Sequence, residues 1–187
     1  MGLAKRLARK RQKSFNATVN GIKKSNERAD SNYRMAYIDQ WRRDKQLWQI
    51  AHNDLMAILL VASHRIFGFG KDRLTTLWEK TLNQLECLDK RYVTEKDLER
   101  IIAEEADFGL IGTVGEKNHN RQLLENVNSR LSVCFLVSLL DGWNYKGKRM
   151  KKVYEEAQRI GLGLKNLEYG MDEVYKELDK TGFKGVA

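Results

Sequence analysis

The clearest chemical pattern in this chain is a cluster of cations near its amino end. Residues 5–13 hold six lysines and arginines, and three more follow by residue 28. With Glu27 as the one acid among them, residues 1–28 account for +8 of the formal net charge of +9, so the rest of the chain is close to neutral. Guanidinium and ammonium groups at this density attract polyanions, and arginine suits phosphate geometry in particular.

We therefore expect the amino-terminal segment to bind nucleic acid, with an affinity that falls steeply as salt is raised. DNA and RNA both remain open, and the alternative is a solubilising tail that binds polyanions without specificity. The apolar content of the segment is too low to favour a membrane surface. The candidate contacts are Lys5, Arg6, Arg9, Lys10, Arg11, Lys13, Lys23, Lys24, Arg28, Arg34, Arg42 and Arg43.

Aromatic residues follow the basic segment at helical spacing, namely Tyr33, Tyr37, Trp41 and Trp48. They could stack on unpaired bases, with the neighbouring arginines holding phosphates. Large aromatics at this period more often bury against another helix, and that interpretation is favoured here. Trp41 and Trp143 are also candidate hot-spot residues for a protein partner.

Residues typical of catalysis or metal binding do not group in the sequence. His52 and His64 lie too far apart for joint ligation from one helix, and His119 is expected in a loop. Cys87 and Cys134 stand outside any paired motif and are expected in the core of a protein from a reducing compartment. Lys71 follows Gly70 without the spacing or the Ser or Thr of a phosphate-binding loop. We expect a non-enzymatic protein without a cofactor or metal.

The elements that must carry these residues are predicted to be helices. The chain lacks proline, and its apolar residues recur every three or four positions. The longest apolar stretch, Leu55–Ala62, is far shorter than the ~20 residues of a membrane span. The predicted fold is all-α: a basic arm over 1–32, disordered or helical on binding, a helical unit over 33–108, a connector over 109–119 and a second helical unit over 120–187.

Two local signals mark helix ends. Phe67-Gly68-Phe69-Gly70 interrupts the long amphipathic pattern, and Gly68 can adopt the left-handed conformation that ends a helix. Thr94 and Asp97 have the spacing of a capping box at the start of another helix.

The chain also matches itself weakly at an offset of 76, which places Leu60 on Leu136. The same offset places the Phe67-Gly68-Phe69 turn on Trp143-Asn144-Tyr145, where asparagine tolerates a left-handed backbone. Thr94 falls on Gly170, another acceptable N-cap type. The pattern predicts two tandem degenerate three-helix units, packed face to face or side by side.

Residues 50–105 resemble a group of proteins. The run Phe67-Gly68-Phe69-Gly70-Lys71-Asp72-Arg73-Leu74, followed by the acidic cap at 94–97, is similar to a turn in small uncharacterised helical proteins of phages and prophages of Gram-positive bacteria. The resemblance implies a viral or mobile-element origin, all-helical packing and the cytoplasm of a bacterial host. It brings no activity with it, and this chain departs from it by its basic arm and second unit.

The function expected from these features is that of a nucleic-acid-binding accessory protein. Two alternatives stay open: an inhibitor or adaptor that binds a host defence or transcription complex, protein or ribonucleoprotein, and a structural component of a virion. The sequence leaves a homodimer possible and indicates no membrane partner.

Overall fold

The structure is a computed structural model that describes residues 3–108 and 118–185. In the first helix, the structure does not describe the side chains of residues 3–12, 14–17, 19, 22 and 26. Helix is the only regular secondary structure among the described residues, which confirms the all-α prediction. The helices are α1 (Leu3–Phe67), α2 (Lys71–Asp89), α3 (Glu95–Ala106), α4 (His119–Trp143), α5 (Gly147–Lys165) and α6 (Met171–Lys180).

The chain divides into two compact units, Met1–Gln46 and Leu47–Ala187. In the sequence, the first unit contains 13 lysines and arginines against four acids, a formal net charge of +9. The second contains 21 against 21, a formal net charge of zero. All of the excess charge therefore belongs to residues 1–46, which extend past the end of the arm predicted over 1–32.

The basic segment lies in α1, which also contains the aromatic residues that follow it. No break separates residues 1–32 from the predicted amphipathic helix within the range that the structure describes. Residues 3–32 of the segment are therefore part of a helix in the structure. The predicted connector lies mostly outside the described residues, and its last residue, His119, begins α4 instead of lying in a loop.

The core of the second unit forms around α4. Every residue from Leu131 to Leu140 is buried, and α2 and α3 both pack against this helix. By length and composition alone, α4 is also the one described helix that could cross a membrane, with a mean hydropathy of 1.3 over its most apolar window. Because 61% of that window is buried among the other helices, its apolar surface is already covered within the unit.

Two aromatic turns meet inside this core. Gly68 ends α1 with a left-handed backbone (φ +65°), and Asn144 ends α4 in the same way (φ +50°). Phe69 is fully buried, with its ring centroid 5.0 Å from that of Trp143 and 6.2 Å from that of Tyr145. The Phe67 and Tyr145 rings lie 4.5 Å apart. The turn therefore directs its aromatics into the core.

Several helix boundaries recur at the offset that places Leu60 on Leu136. The ends of α1 and α4, the starts of α2 and α5 and the starts of α3 and α6 are all separated by this offset. Helices α2 and α5 are both 19 residues long. Beyond the Gly68 and Asn144 pair, Arg91 and Leu167 also share a left-handed backbone at the same separation. These helix boundaries and left-handed residues in the second unit therefore share one separation along the chain.

Helix α3 begins with the predicted capping box. The Thr94 hydroxyl accepts a hydrogen bond from the Asp97 backbone N–H, and the Asp97 carboxylate accepts one from the Thr94 backbone N–H. Gly170 occupies the N-cap of α6 in an extended conformation. Both caps fix where a helix starts in the second unit.

Candidate nucleic-acid interface

The candidate interface is built on α1 within the first unit. Lys13, Lys23, Lys24 and Arg28 are exposed, as are the candidate arginines further along this helix, Arg34, Arg42 and Arg43. For Lys5, Arg6, Arg9, Lys10 and Arg11 the structure describes the helical backbone but not the side chains. Every candidate cation whose side chain is described therefore faces solvent.

Few of these cations are neutralised inside the protein. Arg42 lies 4.0 Å from Asp39, with both side chains more than half exposed. Arg43 donates a 3.0 Å hydrogen bond to the amide oxygen of Gln40, a neutral partner. Among the residues that the structure describes, Lys13, Lys23, Lys24, Arg28 and Arg34 form no ion pair. Exposed pairs stabilise weakly, so these groups keep most of their charge available for phosphates.

Tyr33, Tyr37 and Trp41 on α1 are exposed, which makes the expectation that they form a core wrong. The exposed fraction is 75% for Tyr33, 67% for Tyr37 and 56% for Trp41. Helical periodicity shows that apolar residues share a face but not that another element covers it. Since the described part of the first unit consists of α1 alone, nothing in that unit packs on this face.

The aromatics form a row along the helix. Each four-residue step advances about 6 Å along the axis and about 40° around it, so Tyr33, Tyr37 and Trp41 lie side by side. Lys45 continues the row, and its Nζ atom lies 5.5 Å from the centre of the Trp41 ring. The adjacent four-residue row holds Arg34, Ile38 and Arg42. We call residues 33–45 on these two rows the aromatic–basic face.

The two other tryptophans singled out by the sequence belong to the second unit. Trp143 is half-buried against Phe69, so much of its ring is unavailable to the protein partner predicted for it. Trp48 is 38% exposed and stacks on His52, with the two ring centroids 4.9 Å apart. Burial lowers the pKa of His52 and favours its neutral form.

An open groove of about 450 Å³ lies beside Trp48, His52 and Trp78. The acids at its edge already have cationic partners, since Glu86 lies 2.5 Å from Lys90 and Asp89 lies 2.6 Å from Arg130. The described residues that line the groove include no serine, threonine or cysteine. In the part of the chain that the structure describes, no group of three or more His, Cys, Asp or Glu side chains could hold a metal ion.

An ionic cluster that sequence reasoning missed joins α1, α5 and α6 in the second unit. Arg65 donates hydrogen bonds to Glu156 (3.0 Å) and Glu177 (2.7 Å), and Glu156 also accepts one from Arg159 (2.7 Å). Both partners of Arg65 are remote from it in the chain, and no local pattern points to such pairs. The cluster satisfies a buried carboxylate and is structural.

Comparisons with protein-family models, with curated proteins and with solved structures found no match to this chain.

Proposed function

We propose that this protein is a non-enzymatic nucleic-acid-binding accessory protein and that its first unit is the binding element. The observation that carries the proposal is the separation of charge, +9 in residues 1–46 and zero in residues 47–187. Electrostatic attraction to phosphates depends on such a local excess of cations.

We infer that the second unit consists of two related three-helix halves, related by the offset that places Leu60 on Leu136. The matching helix boundaries and left-handed turns support this inference. Helix α4 begins at His119, which corresponds to residue 43 under the offset. The part of α1 before about residue 43 then has no counterpart within α4, so the basic part of α1 is proposed to be an addition to a repeated core. An added, highly charged helix that builds none of this core favours a binding role.

The dimensions of the first unit suit a polyanion. The helical residues 3–46 extend for about 66 Å, enough to follow several phosphates. Cations spaced along one helix can each neutralise a phosphate and release counterions. The binding is proposed to be electrostatic in its main part, with a polymer of DNA or RNA as the ligand.

A protein-binding inhibitor or adaptor is the second candidate, because Trp41 is large, apolar and more than half exposed. Exposed tryptophans are enriched among hot spots of protein interfaces. A phage or prophage origin, with a host complex as the partner, rests on the turn at 67–74. A pull-down from nuclease-treated bacterial lysate separates the candidates, since capture that survives nuclease supports the adaptor and capture lost with nuclease supports nucleic-acid binding.

The direct test compares two quadruple variants of equal net charge. Lys13→Gln/Lys23→Gln/Lys24→Gln/Arg28→Gln neutralises exposed cations of the first unit. The control, Lys96→Gln/Lys148→Gln/Lys152→Gln/Lys165→Gln, neutralises exposed cations of the second unit. Binding to labelled duplex DNA, single-stranded DNA and RNA is measured across a salt series from about 50 to about 300 mM.

The first variant should bind at least roughly tenfold more weakly at low salt, and its slope of log K against log salt should fall by about 2–4. The control should match the parent protein. Equal losses in the two variants, or no loss in the first, would overturn the proposal, because binding would then depend on total charge or on other residues.

A further inference from the structure

We propose that the aromatic–basic face binds single-stranded nucleic acid, with unpaired bases stacking on Tyr33, Tyr37 and Trp41. The inference rests on the proposed function, and it names the class of nucleic acid and the residues that distinguish it. Electrostatic binding to phosphates needs only the cations of the first unit. It does not account for three exposed aromatic rings in one row.

The spacing of the rings suits successive bases. Tyr33, Tyr37 and Trp41 follow one another at about 6 Å along α1, with a drift of about 40° per step. A flexible single strand can follow this shallow turn and present a base to each ring. Every base has an apolar face, so such stacking tolerates any sequence.

Cations lie where the backbone of the strand would run. Arg34 and Arg42 occupy the row beside the rings, and Arg34 forms no ion pair with any described residue. Lys45 lies 5.5 Å from the centre of the Trp41 ring, next to the last stacking position. Aromatic platforms flanked by a basic track are the combination by which proteins hold single strands.

Charge also distinguishes between the molecules that could bind to the exposed aromatic–basic face. A second copy of the chain would bring a further +9 to the same helix and oppose pairing at low salt. A duplex would satisfy the cations but keeps its bases stacked inside, out of reach of the rings. A single strand satisfies the cations and the rings together.

The test uses the full chain and three variants. Tyr33→Ala/Tyr37→Ala/Trp41→Ala removes the rings but no charge, and Tyr33→Phe/Tyr37→Phe/Trp41→Phe keeps three aromatic faces. Met35→Ala is the matched control, because Met35 is 55% exposed on the same helix but lies about 160° around it from Tyr37. Affinities for labelled oligothymidine and for a hairpin duplex are measured at one salt concentration, and light scattering reports the oligomeric state.

The alanine variant should lose at least roughly tenfold in affinity for the single strand and less than about threefold for the duplex, with an unchanged salt slope. The phenylalanine variant and Met35→Ala should stay within about threefold of the parent on both ligands. An equal loss on both ligands, no loss on either, or a parent dimer that the alanine variant dissociates would overturn this inference while leaving electrostatic binding in place. Failure of the parent protein to bind any nucleic acid would overturn the proposed function itself.

Discussion

Arg65 and Glu156 form a 3.0 Å hydrogen-bonded ion pair between α1 and α5, and the carboxylate is almost fully buried. Arg65 also reaches Glu177 on α6, so one guanidinium connects three helices. The residues 76 positions from Arg65 and Glu156 are Asp141 and Lys80, and they also form an ion pair, between α2 and α4. In the second pair the acid and the base are exchanged relative to the first.

Glu156→Gln should destabilise the second unit. Arg65 would lose a charged acceptor in a half-buried position, and Arg159 would lose its partner. We expect the free energy of unfolding to fall by about 1–3 kcal/mol, measured by urea denaturation. Glu155→Gln is the control, since Glu155 is exposed and lies 3.8 Å from Lys151. The control should change stability by less than about 0.5 kcal/mol. Equal effects of the two variants would contradict a structural role for the cluster.

The same cluster predicts sensitivity to acid. The hydrogen bond from Arg159 lowers the pKa of Glu156, and the hydrogen bond from Arg65 lowers that of Glu177. Because the folded pKa values lie below the unfolded value near 4.5, the stabilisation is complete above that pH and is lost as the pH falls through the folded values. Urea midpoints measured from neutral pH down to about pH 3 should fall less steeply in Glu156→Gln than in the parent. Parallel curves would show that Glu156 does not contribute.

Two glycine-to-alanine substitutions should change the stability of the second unit in opposite directions. Gly68→Ala places a side chain on a left-handed backbone and should cost roughly 1–2 kcal/mol, although no atom blocks the added carbon. Gly161→Ala, inside α5 and equally unobstructed, should stabilise by about 0.5–1 kcal/mol through the unfolded chain. Thermal unfolding of the two variants side by side checks the prediction. A shift of both melting temperatures in one direction would be inconsistent with it.

Phe69→Ala should be among the most damaging core substitutions. The side chain is fully buried between the turns that end α1 and α4, so its removal leaves a cavity among rings. A loss of about 3–5 kcal/mol is expected in chemical denaturation. Tyr92→Ala is the aromatic control, because Tyr92 is 74% exposed and should cost little. A comparable loss of stability in Tyr92→Ala would contradict the prediction, because the loss would then not depend on burial of the ring.

The two thiols should react at different rates. Burial raises the pKa of Cys134 to about 12, whereas Cys87 is half-buried on α2. An aromatic disulfide reagent at mildly alkaline pH should modify Cys87 first and Cys134 only after unfolding. Cys87→Ser then removes the rapid phase, and a rapid phase that survives this substitution would contradict the assignment.

Local signals predicted much of the second unit. The capping box at Thr94 and the left-handed Gly68 depend on residues within a few positions of each other, so the sequence reveals them. Helix α2 begins at Lys71, directly after the Phe67–Gly70 interruption that the sequence marks as a helix end. Periodicity alone did not place the end of α5 at Lys165, because Gly161 and Gly163 interrupt the apolar pattern in its last turn.

The candidate interface was harder to predict. An apolar row on a helix has the same sequence pattern whether another helix covers it or solvent does, and this is why Tyr33, Tyr37 and Trp41 were expected in a core. The contact of Arg65 with Glu156 joins residues that are distant in the chain and leaves no periodic trace. The charge excess was visible, but its limit at residue 46 became clear only from the division of the fold.

Phe69 and Tyr145 are 76 residues apart in the chain, and their ring centroids lie 6.2 Å apart. Each ring therefore fills space beside the other. A bulkier group on one side leaves less room for its counterpart, so mutations accepted at one of these sites restrict those accepted at the other. Substitutions at the two sites should therefore be correlated: a larger side chain at one site should accompany a smaller side chain at the other.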